Sequence, residues 1–285
     1  MKAKVLWMGW ACALVLGATA QAQDEGAEAD SGVSHKQAGE EHRAEAAPPT
    51  GNLPGGIPGT VAGHVAFTTD YVWRGVSQSD EDVAVQGDFA YTVAVLPGTS
   101  FYASVWATNV EFNEGASDNA SVEMDFFGGF TGTLPTLLPR LTWDIGGLHY
   151  YYPGSNDPAL NHFDFTEVYG GLTYDFGVAS VNFYINHSPD FFAETGDSTY
   201  YSTTVKIPLP KNFGIALHAG DFDFDDNALV GLPDYVDWKV GVTAKLLNFF
   251  DLDLSYIDTD ISQRRCFGGL NWCDGRVVFS VSHAF

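Results

Sequence analysis

The chain has 285 residues, with 36 acids against 13 bases and a formal net charge of −23, which excludes the nucleic-acid binders, because their affinity comes from Lys and Arg meeting phosphate. Its 31 Gly, 21 Phe, 13 Tyr and 7 Trp, with only 17% charged residues, point to β structure rather than helix. A membrane remains open as the environment, provided that the charges avoid a lipid-facing surface.

Residues 1–22 read as a secretory signal. Lys2 and Lys4 form a basic start, Val5–Ala18 is the apolar core, and Ala20 and Ala22 supply the small residues a signal peptidase requires, so cleavage is expected after Ala22. An uncleaved anchor is the bland alternative, but the apolar run is short for a spanning helix. Cys12 is too near the start, and lacks a suitable preceding leucine, to mark a lipoprotein. After Ala22 no segment reaches the roughly 18–20 apolar residues of a membrane helix.

Residues 23–60 are acidic and rich in Ala, Gly and Pro, without one aromatic, and are expected to be disordered, since nothing there offsets the entropy of ordering. From Val61 to Phe285 the texture changes to alternation. In the first segment Val65, Phe67, Tyr71 and Trp73 share one face, and Ala66, Thr68, Asp70, Val72 and Arg74 the other, because strand side chains alternate. The same division sets Val85, Phe89 and Tyr91 against Gln86 and Asp88, and Val122, Met124 and Phe126 against Glu123 and Asp125. It sets Trp143 and Ile145 against Asp144, and Val236, Trp238 and Val240 against Asp237, Lys239 and Lys245.

Roughly twelve such segments of about ten residues follow one another, near 63–75, 83–95, 101–112, 121–132, 140–152, 163–175, 178–187, 198–207, 213–222, 235–246, 249–258 and 275–285. Alternate links are tight, as in 96–99, 175–177 and 246–248, whereas those between are mostly longer and more polar, as in 76–82, 153–162 and 259–274. An outer-membrane barrel sorts its connections by parity in this way; a soluble sandwich has no reason to. The expected fold is therefore all-β, a transmembrane antiparallel up-and-down barrel of about twelve strands over 61–285.

The last segment alternates cleanly and ends on Phe285, the terminal aromatic that bacterial outer-membrane proteins present to their assembly machinery. On this reading Asp70 and Arg74 face a wet interior, while Tyr71 and Trp73 face lipid near the outer aromatic girdle. Four residues along a strand span about 13 Å, too far for Asp70 and Arg74 to pair with each other.

The stretches "VAFTTDYVWRGVSQSDEDVAVQGDFAY", "FYASVWATNVEF", "VEMDFFGGF", "EVYGGLTYDF" and "CDGRVVFSVSHAF" resemble the TorF-like family of outer-membrane porins of Gram-negative bacteria. The likeness covers Val61 to Phe285, and Asp70–Gln78 ("DYVWRGVSQ") is its most specific part. The resemblance implies an outer-membrane barrel and carries no established substrate or catalytic residues. It does not extend to the acidic segment at 23–60.

Inward charges are the functional candidates. The acids are Asp70, Asp88, Glu123, Asp125, Asp144, Glu167, Asp237, Asp251 and Asp253; the bases are Arg74, Lys206, Lys239, Lys245 and Arg276. Acids outnumber bases, so a mildly negative lumen favouring cations or neutral solutes is expected. The competing expectation is a structural or surface-binding barrel whose interior charges pair and fill it.

Cys266 and Cys273, in the longest polar link of an exported chain, are expected to form a disulfide, since further metal ligands are missing nearby. "DFDFDDN" (221–227) has the spacing of a calcium loop in Asp221, Asp223 and Asp225 but lacks its glycine and its closing glutamate, and reads as a solvated acidic loop. Asn186, His187 and Ser188 are the residue types of an outer-membrane lipase, yet consecutive strand residues diverge, so no enzyme is expected. No cofactor and no metal are expected either. The expected partners are outer-membrane lipid and lipopolysaccharide, the assembly machinery through Phe285, and small hydrophilic solutes.

Overall fold

A computed structural model describes residues 52–53, 56–112, 120–134, 138–155 and 163–285. The expected signal peptide, its cleavage after Ala22, and most of the acidic segment at 23–60 lie outside the described residues. Where that segment is described, Asn52–Leu53 pairs with Ile57–Pro58, and the barrel wall begins at Thr60.

Twelve antiparallel strands close into one barrel. In chain order they are β1 (Thr60–Thr68), β2 (Ala84–Leu96), β3 (Thr99–Asn109), β4 (Val122–Leu134), β5 (Leu138–Tyr151) and β6 (Phe165–Asp175), followed by β7 (Ser180–Ser188), β8 (Ser198–Leu209), β9 (Phe213–Phe224), β10 (Tyr235–Leu246), β11 (Phe250–Thr259) and β12 (Arg276–Ala284). Each pairs with its sequence neighbours, and β12 returns to β1 through register pairs such as Val281 with Phe67. Closure removes the sheet edge, so every wall strand is bonded on both sides.

The period-2 pattern explains the two surfaces. Outward positions carry apolar side chains left bare, with Phe67 56% and Val240 52% exposed, beside Phe89, Ile145 and Leu254. Inward positions of the same strands are buried and mostly polar or aromatic. A water-soluble fold would expose the polar face and bury the other. Strands of 9 to 14 residues are long enough, when tilted, to cross a hydrocarbon layer. Among the described residues no helix is long and apolar enough to do so.

The connections alternate in length as well. The links β2–β3, β4–β5, β6–β7, β8–β9 and β10–β11 are tight and share one end with both termini of the barrel, here called the turn end. The others emerge at the opposite, long-loop end. There Cys266 and Cys273 form the expected disulfide, with Cα atoms 5.9 Å apart.

One expected strand is corrected. The first wall strand does not run from 63 to 75 but stops at Thr68, and the segment 69–83 that leads on to β2 turns into the barrel over residues 70–79. Tyr71 is buried inside, and Trp73 packs among interior rings instead of facing lipid. Val72–Trp73 and Val76–Ser77 form a tiny ladder, joined by Arg74 at φ 47° and Gly75 at φ 82°. Two consecutive positive φ values make the type I′ turn that matches the twist of a hairpin. An inner hairpin alternates with the same period as a wall strand, so periodicity could not tell them apart.

Candidate functional site

The neck of the inner hairpin is tied by short polar side chains. The Thr68 hydroxyl donates to the carbonyl of Asp70 at 2.8 Å, and the hydroxyls of Ser77 and Ser79 donate to Asp70 Oδ1 at 2.7 and 3.0 Å. Arg276, at the loop end of β12, donates to Asp70 Oδ2 at 2.7 Å. The chain can therefore leave the wall without stranding the Asp70 carboxylate, which is buried but fully engaged.

At the tip, Arg74 reaches across the barrel to β6. Its two terminal nitrogens each donate to one oxygen of Glu167 at 2.8 Å. Asn186 Nδ2 and the Tyr150 hydroxyl also donate to Glu167 Oε2, at 3.0 and 3.3 Å. The guanidinium carbon lies 4.3 Å from the ring centres of Trp73 and Tyr200 and 4.7 Å from that of Phe222. Tyr235 donates to the Arg74 carbonyl at 2.9 Å. Arg74 and Glu167 are 2% and 1% exposed, a fully buried forked ion pair.

Tyr200, opposite Phe222 in register, can lay its phenol end over Gly220 of β9, where a Cβ would sit 2.0 Å from the phenol oxygen. Trp73 stacks on Phe191 and meets Tyr150, Phe165 and Phe222 edge-on, so the hairpin tip is packed among aromatic rings in the long-loop half. Nearby, Tyr71 donates to Glu123 at 2.8 Å. Tyr71 and Tyr152 lie off the strands; burial first, then the Glu123 and Asp125 carboxylates, hold their phenols well above the ordinary tyrosine range, so both remain donors.

All fourteen charges named from sequence lie at inward positions or on the inner hairpin, but they do not line one open passage. Asp70 and Arg74 are corrected from wall residues to hairpin residues. Glu123, Asp125, Glu167 and Asp237 surround the hairpin in the packed half. Asp125 is fully buried, with neither carboxylate oxygen hydrogen-bonded among the described residues. Below, Asp144 accepts from Tyr102 at 2.7 Å and from Tyr184 at 3.3 Å, forming a mid-barrel floor. Asp88 pairs with His64 at 3.1 Å, and Lys239 with Asp253 at 3.5 Å.

Only toward the turn end does the interior loosen. The side chains of Lys245 and Asp251, 3.6 Å apart, keep 23% and 14% exposure, and Lys206 is half-buried. Between these levels, a cavity of about 40 Å³ is lined by Thr68, Asp70, Gln86, Lys239 and Asp253 among others, room for about three waters. Among the described residues, the partly exposed inward charges thus lie toward the turn end and the fully buried ones toward the long-loop half.

The other sequence candidates separate. Asn186 points inward to Glu167, whereas His187 bonds Thr199 at 3.1 Å and Ser188 the carbonyl of Asp190 at 2.9 Å, so the three do not converge. Asp226 accepts from the amides of Ala228 and Leu229 and caps a single helical turn. Among the described residues no group of three His, Cys, Asp or Glu side chains is placed to hold a metal. Sequence reading missed the aromatic partners of Arg74, namely Tyr200 and Phe222. The adjacent Arg-Gly pair was the available signal for a turn there.

A family described as "Bacterial protein of unknown function (Gcw_chp)" matches residues 54–285. The chain belongs to this family. The Gcw_chp match covers the whole barrel together with the inner hairpin. No curated protein matches this Gcw_chp chain in sequence. Among solved structures it is similar to an outer membrane channel from Pseudomonas putida F1, with 11% identity, 81% of this chain and 96% of the other covered, and a TM-score of 0.52. It is also similar to a chain solved in work on the in-meso crystallization of membrane proteins, with 10% identity, 79% and 83% covered, and a TM-score of 0.50. At such identities the likeness is one of fold.

Proposed function

We propose that this chain is an outer-membrane barrel of the porin type, exported by its signal peptide, and held closed by the hairpin at 69–83. Small hydrophilic solutes pass by diffusion only when that hairpin leaves the lumen. The observation that carries this reading is the buried Arg74–Glu167 pair, which the inner hairpin sets among aromatic rings inside the barrel wall. The bare apolar exterior, the sorting of connections by length and the TorF-like resemblance of Asp70–Gln78 support the outer-membrane and porin parts. Its partners are then lipid and lipopolysaccharide around the wall, the assembly machinery through Phe285, and the solutes.

The inward wall charges named above line the passage once it opens. When the hairpin leaves with Asp70 and Arg74, Glu167 loses its cation and joins Glu123 and Asp125 in biasing the opened lumen toward cations, while Lys239 and Lys245 stay paired with Asp253 and Asp251. The test is single-channel conductance of the refolded protein in planar bilayers under asymmetric salt. The wild type is expected to stay closed almost throughout. A variant with residues 70–80 replaced by a short Gly-Ser linker is expected to conduct steadily with cation preference. A steadily open wild type refutes the closure. A folded but silent linker variant refutes passage, and makes the chain a structural or surface-binding barrel with a filled interior.

A further inference from the structure

A buried ion pair is a poor way to stabilise a protein. Desolvating both charges offsets most of their attraction, and apolar residues of similar volume do as well or better. Hairpin 69–83 nevertheless sets an arginine, 2% exposed, against Glu167 at the far wall. The wall side of that contact is built independently of the hairpin. Glu167 comes from β6, Asn186 from β7, Tyr200 from β8 and Phe222 from β9, four consecutive strands whose register is fixed by their ladders. Asn186 and Tyr150 already hold one oxygen of the carboxylate, which orients its plane.

We infer that Glu167, Asn186, Tyr200 and Phe222 form a guanidinium-recognition site in the barrel lumen, occupied in cis by Arg74, and that solutes bearing a guanidinium group compete with Arg74 and release the hairpin. The inference rests on the closed-barrel reading above and names the solute class that opens it. The geometry suits a guanidinium better than an ammonium. A planar fork takes both carboxylate oxygens at once, as the two 2.8 Å contacts do, while its carbon sits over aromatic rings at 4.3 and 4.7 Å. A point-like ammonium satisfies the charge but not the fork. The surroundings favour a cation as well: Glu123 and Asp125 face the packed half from β4, and Asp125 has no hydrogen-bond donor among the described residues.

The probe is agmatine, a guanidinium and an ammonium on a four-carbon chain, compared with butane-1,4-diamine, which has the same charge and chain, and the readout is calorimetric binding to the full chain refolded in detergent. Arg74→Ala vacates the site, so it is expected to bind agmatine at least about tenfold more tightly than the wild type, which must first expel its own arginine. Adding Glu167→Gln to Arg74→Ala should abolish that binding, and butane-1,4-diamine should bind Arg74→Ala at least about tenfold more weakly than agmatine. Should Arg74→Ala not yield the heat-modifiable barrel, the wild type alone decides. Saturating agmatine, but not butane-1,4-diamine, should then expose Tyr71 and Trp73 to chymotrypsin. A folded Arg74→Ala barrel that binds agmatine no better than the wild type, or binds butane-1,4-diamine equally well, overturns the site; so does a wild-type hairpin that agmatine leaves protected. None of these readouts needs a bilayer or a current, so steady wild-type conductance would refute closure without touching them.

Discussion

Gly75 shows how much a single residue contributes to the inner hairpin. Its φ of +82° lies where side chains are strained, and a Cβ would stand 2.5 Å from Thr259 Cγ2 and 2.7 Å from Asp237 Cβ. Gly75→Ala therefore meets a backbone cost of about 1–2 kcal/mol and a collision with two wall strands. The expected outcome is an intact barrel whose Tyr71 and Trp73 become sensitive to chymotrypsin, because the wall makes no use of residue 75 for its own ladder. Unchanged protection in the variant would show that the turn conformation does not govern docking. Arg74 beside it sets the larger scale: removing one partner of a buried pair generally costs about 3–5 kcal/mol, since the other charge stays behind without water.

At the scale of elements, the hairpin is gripped from outside by the loop between β11 and β12. Ser77 donates its amide to the Trp272 carbonyl at 2.9 Å, Trp272 Nε1 donates to Asp80 at 2.7 Å, and Asn271 donates to Glu81 at 2.9 Å. The Cys266–Cys273 disulfide closes the short loop that presents Asn271 and Trp272. A loop of this length constrains the open chain by about 2–3 kcal/mol in the chain-entropy account. Replacing both cysteines by serine should leave the barrel's mobility shift on a semi-native gel unchanged. The same change should speed hydrogen exchange at residues 76–82 by at least about tenfold, since about 1.4 kcal/mol is a factor of ten. Exchange unaltered there would mean that the loop holds its shape without the covalent link.

For the whole molecule, the decisive contrast is between two surfaces of one wall. Val240, outward on β10, is 52% exposed, whereas Lys239 and Gly241 beside it face in and are buried. If the outer surface lies in hydrocarbon, Val240→Arg should cost about 2–4 kcal/mol in refolding titrations into lipid bilayers. Lys245→Gln, inward near the turn end, should cost less, about 1 kcal/mol, because its ion pair with Asp251 is only partly buried and the change puts no charge on the outer surface. Equal costs at the two positions would argue that the exterior does not meet lipid. The same contrast bears on the net charge of −23: most described strand acids face inward, and the outward ones, Asp221, Asp223 and Asp258, sit toward the long-loop ends of β9 and β11.

Alternation by itself determined the wall. A β-strand sends successive side chains to opposite faces, so Phe67, Phe89, Ile145 and Leu254 could be assigned outward and Asp88, Asp144 and Lys239 inward without coordinates. Link lengths then gave the two ends, and twelve strands followed. Residues 69–83 were beyond such reasoning. Their alternation is equally regular, but what it packs against is a matter of sequence-distant partners: Arg74 with Glu167, Asp70 with Arg276, Tyr235 with the Arg74 carbonyl. Local periodicity fixes which residues share a face, and only closure of the barrel fixes what that face meets. What the inward face of residues 69–83 meets was therefore decided by the tertiary structure, which alone brings β6, β8 and β9 around one arginine.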